Sequence, residues 1–276
     1  MEKAMEMEAG RESEVTCVDF WANEFGMRVR IALRELGVAF EYVEEDLRVR
    51  ERSDLVRRMN PVLHMVPILI HHGRPVCGSV NIVEYIDEVW GEETHLLPGN
   101  PVDRADARFW ADFVDHKVFG AQVRFLESKG EEKDELVEQL KRLEEVLGDK
   151  AFFSGEEFGF LDIVTIPFSS MFHGYEQLGR FHLDVECPKL TQWAKRCKQR
   201  ESLTCFEQVS VMKINYDKTG VWVTMNPSIN GGGHLPEVDP GAGDNGDAAC
   251  KKHIGVVSES PVSTLEAAYL ASPFIA

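Results

Sequence analysis

Positive charge and closely spaced cysteines are both scarce in this sequence. Lysine and arginine together number 30 against 47 aspartates and glutamates, which gives a net charge of -17 at pH 7. Nucleic-acid binding requires clustered basic residues, so this composition argues against a nucleic-acid partner. The 6 cysteines show no C-x-x-C spacing, which disfavours both a zinc site and a disulfide framework in a chain of this size. We therefore expect no metal centre, and a reducing compartment, the cytosol.

Long apolar runs are missing as well. Residues 1–13 alternate charged residues with methionine and lack the apolar core of a secretory signal, and we expect them to be a disordered N-terminal segment. No segment reaches the length that a membrane-spanning helix needs. The sequence thus predicts no membrane association, and the expected partners are small molecules or a second copy of the chain.

The apolar residues that are present make up 43% of 276 residues, enough for one or two buried cores. Residues 14–90 follow the order β-α-β-α-β-β-α, which predicts a partly parallel sheet covered by helices, the thioredoxin arrangement. A turn-rich linker follows at residues 91–101. Residues 102–225 carry apolar residues at helical spacing and are expected to form an all-helical domain. Residues 226–276 are rich in glycine, proline, asparagine and aspartate, which predicts a disordered tail.

The stretch NPVLHMVPILIHHGRPVCGSVNIVEYIDEVW is the centre of the first unit. Pro67 stands directly before an apolar strand, where proline marks a strand start or a bend, and a cis bond between Val66 and Pro67 fits this place. A cis bond would leave the main-chain N–H and C=O of Val66 free to pair with a bound peptide. Ser79 stands where a helix N-cap belongs, and its hydroxyl with the first-turn amides predicts a seat for a carboxylate.

A second local pattern occurs in the helical half. Gly159 is followed three residues later by Asp162, just before an apolar run, and this spacing is typical of a capping box. A catalytic role for Asp162 is the alternative. Capping explains the pattern better, because an acid at this position can accept from the amide of Gly159.

The segments FWANEFGMRVRIAL, EYVEEDL, IVEYIDEVW, FFSGEEFGFLDI and LTQWAKRC resemble a plant tau-class glutathione transferase, over about residues 15–202. The resemblance implies an α/β N-terminal thioredoxin-like domain followed by an all-α C-terminal domain. It also implies a glutathione site on the first domain, a hydrophobic co-substrate pocket against the second, and a homodimer. Glutathione would act as a co-substrate, with no bound cofactor.

One departure from the family concerns the thiol of glutathione. In the family, a serine at the start of the first helix donates a hydrogen bond to the thiolate, and in this chain Asn23 occupies that position. Asparagine can still donate through its amide. Glu24 stands where the family has proline, and we expect its negative charge to oppose a nearby thiolate.

The other implied glutathione contacts are partly kept. The family's Glu-Ser pair before the third helix is Gly78-Ser79 here, so the acid for the amino group of glutathione is missing, a loss on the order of 1.5 to 3 kcal/mol. Val66 matches the position that pairs with the glutathione backbone. Arg52 aligns best with the family's lysine, across a two-residue insertion. The implied pocket residues are Phe25 and Phe113, and for Phe113 a core position between helices is an equal alternative.

Two functions remain open from the sequence. The first is a glutathione transferase that conjugates or reduces hydrophobic electrophiles, serving detoxification and glutathione metabolism, with reduced activity because the serine is Asn23. The second is a catalytically weak binding protein, a ligandin, for hydrophobic small molecules. The family's last helix, which covers the co-substrate pocket, has no recognisable counterpart after Ser202.

Overall fold

The computed structural model describes residues 14–47, 49–92, 94–204, 212–217 and 220–225; for the last two ranges it describes the backbone only. The predictions of a disordered N-terminal segment and a disordered tail therefore lie outside the described residues. No helix in the described part of the chain is long and apolar enough to cross a membrane.

The first domain has the predicted order of elements. These are β1 (Val15–Asp19), α1 (Glu24–Glu35), β2 (Glu41–Glu44), α2 (Asp54–Met59), β3 (Ile68–His71), β4 (Arg74–Cys77) and α3 (Ser79–Trp90). The strands form one sheet in the order β2-β1-β3-β4, in which β1 runs parallel to β2 and antiparallel to β3, and β3 runs antiparallel to β4. The prediction of a partly parallel sheet is confirmed.

Alternation along the central strands separates two cores. Cys17 of β1 and its partner Leu69 of β3 face the helices α1 and α3, within the main apolar core. The next pair, Val18 and Ile68, faces the other side of the sheet and packs with Val56 of α2. Because successive side chains of a strand point to opposite faces, β1 and β3 supply apolar residues to both cores.

The second domain is helical through residue 204. Its helices are α4 (Pro101–Phe113), α5 (Phe119–Glu127), α6 (Lys133–Leu147), α7 (Phe160–Thr165), α8 (Phe172–Gly179), α9 (Leu183–Glu186), α10 (Pro188–Cys197) and α11 (Glu201–Thr204). A π-helical turn, Val114–Val118, joins α4 to α5, and a 3-10 turn, Ile166–Met171, joins α7 to α8. The helical character of this domain is confirmed up to this residue.

Two strands follow inside the segment that was expected to be helical through residue 225. They are β5 (Met212–Asp217) and β6 (Gly220–Met225), paired antiparallel with Asp217 opposite Gly220. The expectation of helix was wrong here. The sequence of this segment is rich in β-branched and aromatic residues on both sides of a two-residue connection, a pattern that favours a hairpin. The exact domain boundaries stay predictions.

The predicted contact of Asp162 with the N-cap of α7 is present. Asp162 Oδ2 accepts from the amide of Gly159 at 3.0 Å, and Asp162 Oδ1 accepts from the amide of Phe153 at 3.0 Å and from Trp193 Nε1 at 2.7 Å. Burial raises the pKa of Asp162 to about 6, against the opposing effect of these three donors. The structural role that the sequence predicted for Asp162 is confirmed.

Candidate active site

The register of the sheet brings the predicted glutathione contacts to one edge. Val18 lies opposite Ile68, and Ile68 lies opposite Cys77. The end of β1 is therefore next to the start of β3 and to the end of β4. Three sequence-predicted site residues occupy the loops and helix starts at this edge: Asn23, Val66 and Ser79.

Asn23 caps helix α1, and both the oxygen and the nitrogen of its side-chain amide form hydrogen bonds. Its Oδ1 accepts from the amide of Phe25 at 3.2 Å, and its Nδ2 donates to Asp19 Oδ1 at 2.8 Å. The two partners fix the orientation of the amide, because the Phe25 N–H requires an acceptor and the carboxylate requires a donor. Among the described residues, the second Nδ2 hydrogen has no acceptor, so Asn23 can donate one further hydrogen bond.

Asp19 is fully buried beneath the start of α1. Burial raises the pKa of Asp19 to about 7, opposed by Arg30, whose Nη2 lies 3.2 Å from Oδ2, and by the hydrogen bond from Asn23. A Cβ atom on Gly26 would lie 1.8 Å from Asp19 Oδ2, so only glycine allows the helix to approach the carboxyl this closely. Sequence reasoning missed Asp19; an acid at the end of an apolar central strand was the available signal.

The carboxylate of Glu24 is directed toward the second domain. It is buried, and Gln122 Nε2 of α5 donates to Glu24 Oε2 at 3.1 Å. Gln122 Oε1 in turn accepts from the hydroxyl of Tyr175. The structure places this carboxylate in a hydrogen-bonded chain at the domain interface, and the opposition of its charge to the thiolate stays a prediction.

The start of α3 differs by one residue from the predicted cap. Gly78 is the N-cap, and Ser79 is the first helical residue. The hydroxyl oxygen of Ser79 accepts from Arg28 Nη1 at 2.9 Å, so the hydroxyl hydrogen is left to donate to another group. Gly78 has a φ of 87°, in the region that L side chains rarely adopt. The residue that replaces the family's acid is thus the one best suited to this backbone.

Arg28 is a fully buried residue that sequence reasoning missed. Its Nε donates to the carbonyl of Val164 at 2.9 Å, and its Nη2 donates to Asp115 Oδ1 at 2.6 Å. The guanidinium also lies 4.8 Å from the ring centroid of Phe25. Together with the Ser79 contact, these bonds join α1 and α3 to the second domain. An arginine within the apolar stretch GMRVRIAL was the available signal, because arginine is rarely buried unless it is paired.

The peptide bond between Val66 and Pro67 is cis, the isomer that fits this place in the sequence. Val66 is buried, and no hydrogen bond to its main chain is found among the described residues. The preceding loop is held by Asn60, whose Nδ2 donates to the carbonyl of Met65 at 3.0 Å and whose Oδ1 accepts from the amide of Leu63 at 3.3 Å. The main chain of Val66 is therefore available to a bound peptide.

Arg52 is tied to its own loop. Its Nη1 donates to the carbonyl of Val49 at 2.7 Å, and its carbonyl accepts from Arg57 Nη1 at 2.7 Å. The next residue, Ser53, donates its amide to Glu45 Oε1 at 2.9 Å, which holds the loop near the end of β2. Arg52 therefore lies near the end of β2, with its guanidinium donating to a local carbonyl, and its contact with glutathione stays a prediction.

The two predicted pocket residues belong to different aromatic groups. Phe25 is half-buried at the domain interface, with its ring centroid 5.1 Å from that of Phe119 and 6.2 Å from that of Phe168. Phe113 is half-buried on α4 and packs against Trp110, with ring centroids 5.1 Å apart. In the sequence, Phe25 follows shortly after Asn23, whereas Phe113 belongs to the second domain. A pocket role for either ring stays a prediction.

Comparison with known proteins gives a consistent match to this geometry. Residues 13–88 match the family model of the glutathione S-transferase N-terminal domain, and residues 127–196 match that of the C-terminal domain. Glutathione S-transferase U22 of Arabidopsis thaliana is 52% identical over 194 residues, which cover 69% of this chain and 88% of that protein. The chain belongs to the plant tau class of the glutathione S-transferase family.

Further relatives of this glutathione transferase agree in sequence and in structure. The probable glutathione S-transferase parC of Nicotiana tabacum is 50% identical over 69% of this chain and 87% of the relative. The structure of rice GST1 in complex with glutathione superposes with a TM-score of 0.66 at 42% identity, covering 70% of this chain and 92% of that one. The tau-class enzyme of mango superposes with a TM-score of 0.67 at 32% identity, covering 72% of this chain and 96% of the other. The predicted family and fold are both confirmed, and the co-substrate of this family is glutathione.

Proposed function

We propose that this glutathione transferase conjugates glutathione with hydrophobic electrophiles at the sheet edge occupied by Asn23, Val66 and Ser79, with the Asn23 amide donating to the thiolate. The observation that carries the proposal is the unused Nδ2 hydrogen of Asn23 at the start of α1. It lies at the same edge as the unpaired main chain of Val66 and the hydroxyl of Ser79.

Activation of the thiol is the chemical task of this site. A thiol with a pKa near 8.5 must be shifted by roughly two units to ionise at neutral pH, which corresponds to about 2.7 kcal/mol. The Asn23 amide and the positive N-terminal end of α1 both stabilise a thiolate. Asp19 opposes the thiolate only in its ionised form. Because burial raises the pKa of Asp19 to about 7, a substantial fraction of this carboxyl is protonated at neutral pH.

The remaining contacts support binding of the glutathione backbone and one carboxylate. The main chain of Val66 pairs with the cysteinyl unit, as an added strand would. The hydroxyl and first-turn amides of Ser79 accommodate a carboxylate, while Gly78 offers no acid for the amino group. Arg52 adds a positive charge to the site if its guanidinium gives up the hydrogen bond to the carbonyl of Val49 and donates to glutathione instead. The affinity for glutathione is therefore lower than with the complete set of contacts.

The electrophile is expected between the domains, beside Phe25 and toward Phe113. A homodimer in the cytosol completes the proposal. Support for a dimer comes from large apolar side chains that a partner would cover, since Phe109 of α4 and Leu63 in the loop before Val66 are both exposed.

The binding-protein alternative has one observation in its favour, the missing acid at Gly78. A single preparation separates the two functions. Glutathione binding is measured by calorimetry, and turnover of an aryl halide electrophile with glutathione is measured by absorbance. Binding with turnover supports the transferase, and binding of a hydrophobic dye without turnover supports the ligandin. A protein that binds neither glutathione nor the dye contradicts both.

A further inference from the structure

Three potential metal ligands converge at the end of the sheet opposite to the Asn23 edge. Glu14 directly precedes β1, His71 ends β3, and His72 begins the turn to β4. Glu14 Oε1 lies 3.0 Å from His72 Nε2 and 3.5 Å from His71 Nε2. The ligand atoms of all three residues lie within 4.8 Å of one another. Because β1 has 5 residues, it separates this cluster from the active-site edge by about 16 Å.

His71 is oriented by its surroundings. Its Nδ1 lies 2.7 Å from the hydroxyl of Tyr85, and its ring centroid is 4.8 Å from that of Trp90. Its side chain is 11% exposed, and in the described structure its Nε2 is buried and makes no hydrogen bond. When Nδ1 donates its hydrogen to the oxygen of Tyr85, Nε2 presents a lone pair toward Glu14. Metal-binding histidines commonly have this kind of partner on the second ring nitrogen.

The distances from Glu14 Oε1 to the two imidazole nitrogens are close to those between ligands of one shared ion. Metal-to-ligand distances of roughly 2.0 to 2.1 Å in a tetrahedral site place neighbouring ligand atoms about 3.3 Å apart. The two measured separations, 3.0 and 3.5 Å, lie on either side of this value. The imidazole rings of His71 and His72 are stacked with an angle of 24° between their planes. Binding of a shared ion therefore requires a rotation of the His72 ring, for which there is room because its side chain is 67% exposed.

We propose that Glu14, His71 and His72 bind one divalent transition-metal ion such as Zn²⁺. Two imidazoles and one carboxylate form a three-ligand set that leaves a fourth position for water, as zinc accepts. Cysteine spacing, on which the expectation of no metal centre was based, gives no information about a histidine site. The ion would join the chain before β1 to the turn after β3, where the His72 amide already donates to the carbonyl of Glu14 at 3.0 Å.

A second cluster in the chain offers a matched control. Glu176, His182 and Asp184 also have ligand atoms within 4.8 Å of one another. In this cluster Glu176 Oε1 already accepts from the amide of Leu183 at 2.8 Å, so its carboxylate is engaged in holding α9. Replacing His182 tests whether any exposed histidine beside carboxylates gives the same result.

The experiment is a calorimetric titration of the full, metal-free chain with Zn²⁺ at pH 7.5. His72→Asn and Glu14→Gln should each abolish one binding event or weaken it by at least about tenfold, since each removes a direct ligand. His182→Asn should leave that event unchanged. Zn²⁺ should also raise the melting temperatures of the wild type and of His182→Asn. The increase should be smaller for His72→Asn.

Two results would overturn the proposal. The first is that the His72→Asn and Glu14→Gln variants bind Zn²⁺ with the stoichiometry and affinity of the wild type. The other is loss of the binding event in His182→Asn with retention in His72→Asn. Both replaced side chains, His72 and Glu14, are about two-thirds exposed, so the variants are expected to fold, which their melting temperatures without metal verify. Glutathione conjugation by His72→Asn should equal that of the wild type, so this test is independent of the proposed function.

Discussion

Asn23 Nδ2 donates to Asp19 Oδ1 across 2.8 Å, which joins the proposed thiolate donor to a carboxyl group with no exposed surface. The bond explains how an asparagine is held in place at a helix start where the family has serine. It also makes the protonation state of Asp19 relevant at neutral pH, because burial raises the pKa of this group to about 7.

The stability of the protein should depend on pH through Asp19. The pKa of Asp19 rises from 3.8 to about 7 on folding, so the folded state binds its proton more tightly. This contribution to the free energy of unfolding is fully present below pH 3.8 and is lost as the pH rises through about 7. The total is on the order of 4 kcal/mol.

The check is denaturant unfolding of the wild type and of Asp19→Asn at several pH values. As the pH rises from 4 to 7, the free energy of unfolding of the wild type should fall relative to that of Asp19→Asn. Asp103→Asn, at an exposed position, serves as the control. A difference that stays constant with pH would show that Asp19 does not titrate in this range.

Replacing Arg28 by lysine should weaken both the domain interface and the glutathione site. An ammonium group cannot reproduce the separate bonds to Ser79, Asp115 and Val164, and the loss should be roughly 2 kcal/mol in the free energy of unfolding. The affinity for glutathione should fall as well, because the hydroxyl of Ser79 loses its fixed donor. Urea unfolding and calorimetry measure the two effects.

The matched control for this variant is Arg142→Lys. Arg142 is exposed and forms an ion pair with Glu138 at the (i, i+4) spacing, an interaction that contributes little to stability. Equal effects of the two lysine variants on unfolding would contradict the role assigned to Arg28.

Restoring the acid at residue 78 should separate affinity from stability. Gly78→Glu and Gly78→Ala both place a Cβ at a φ of 87°, so each should lose about 1 to 2 kcal/mol of stability. Only the glutamate can contact the amino group of glutathione, and it should bind glutathione roughly ten to a hundred times more tightly than the alanine variant. Equal affinities of the two variants would show that the γ-glutamyl end is not bound at this position.

Replacing Glu24 by proline, the family's residue, should destabilise this chain. Proline is compatible with the first turn of a helix, but it removes the carboxylate that accepts from Gln122 at the buried interface. The expected loss is about 1 to 3 kcal/mol. Glu24→Gln retains an acceptor and should lose less. Thermal unfolding compares the two, and a Glu24→Pro variant as stable as the wild type would contradict this assignment.

Local patterns in the sequence predicted local structure well. The order of elements through Trp90 and the capping of α7 by Asp162 were both predictable, because each depends on residues within one turn or one strand. The position of Asn23 was predictable from the family pattern around it. The cap at Gly78 was missed by one residue, because the serine that resembled a cap is instead held by Arg28.

Contacts between distant segments were not predictable. Arg28 bonds to groups 51, 87 and 136 residues away, and no spacing in the sequence links these positions. The orientation of the Glu24 carboxylate depends on a hydrogen bond from Gln122, 98 residues further along the chain. Hydrophobic periodicity identifies which face of a helix is buried, but it does not identify the polar partner of a charge on that face.

The central claim is that the Asn23 amide donates to the thiolate of glutathione. Its most direct test is the pH dependence of conjugation by the wild type, Asn23→Ser and Asn23→Ala, since the lower limb of the profile reports the pKa of the bound thiol. A serine hydroxyl at the family's position should lower that pKa and raise activity, and alanine should raise the pKa and reduce the rate at neutral pH. Full activity of Asn23→Ala with an unshifted profile would contradict the claim and assign thiol activation to the amides of α1.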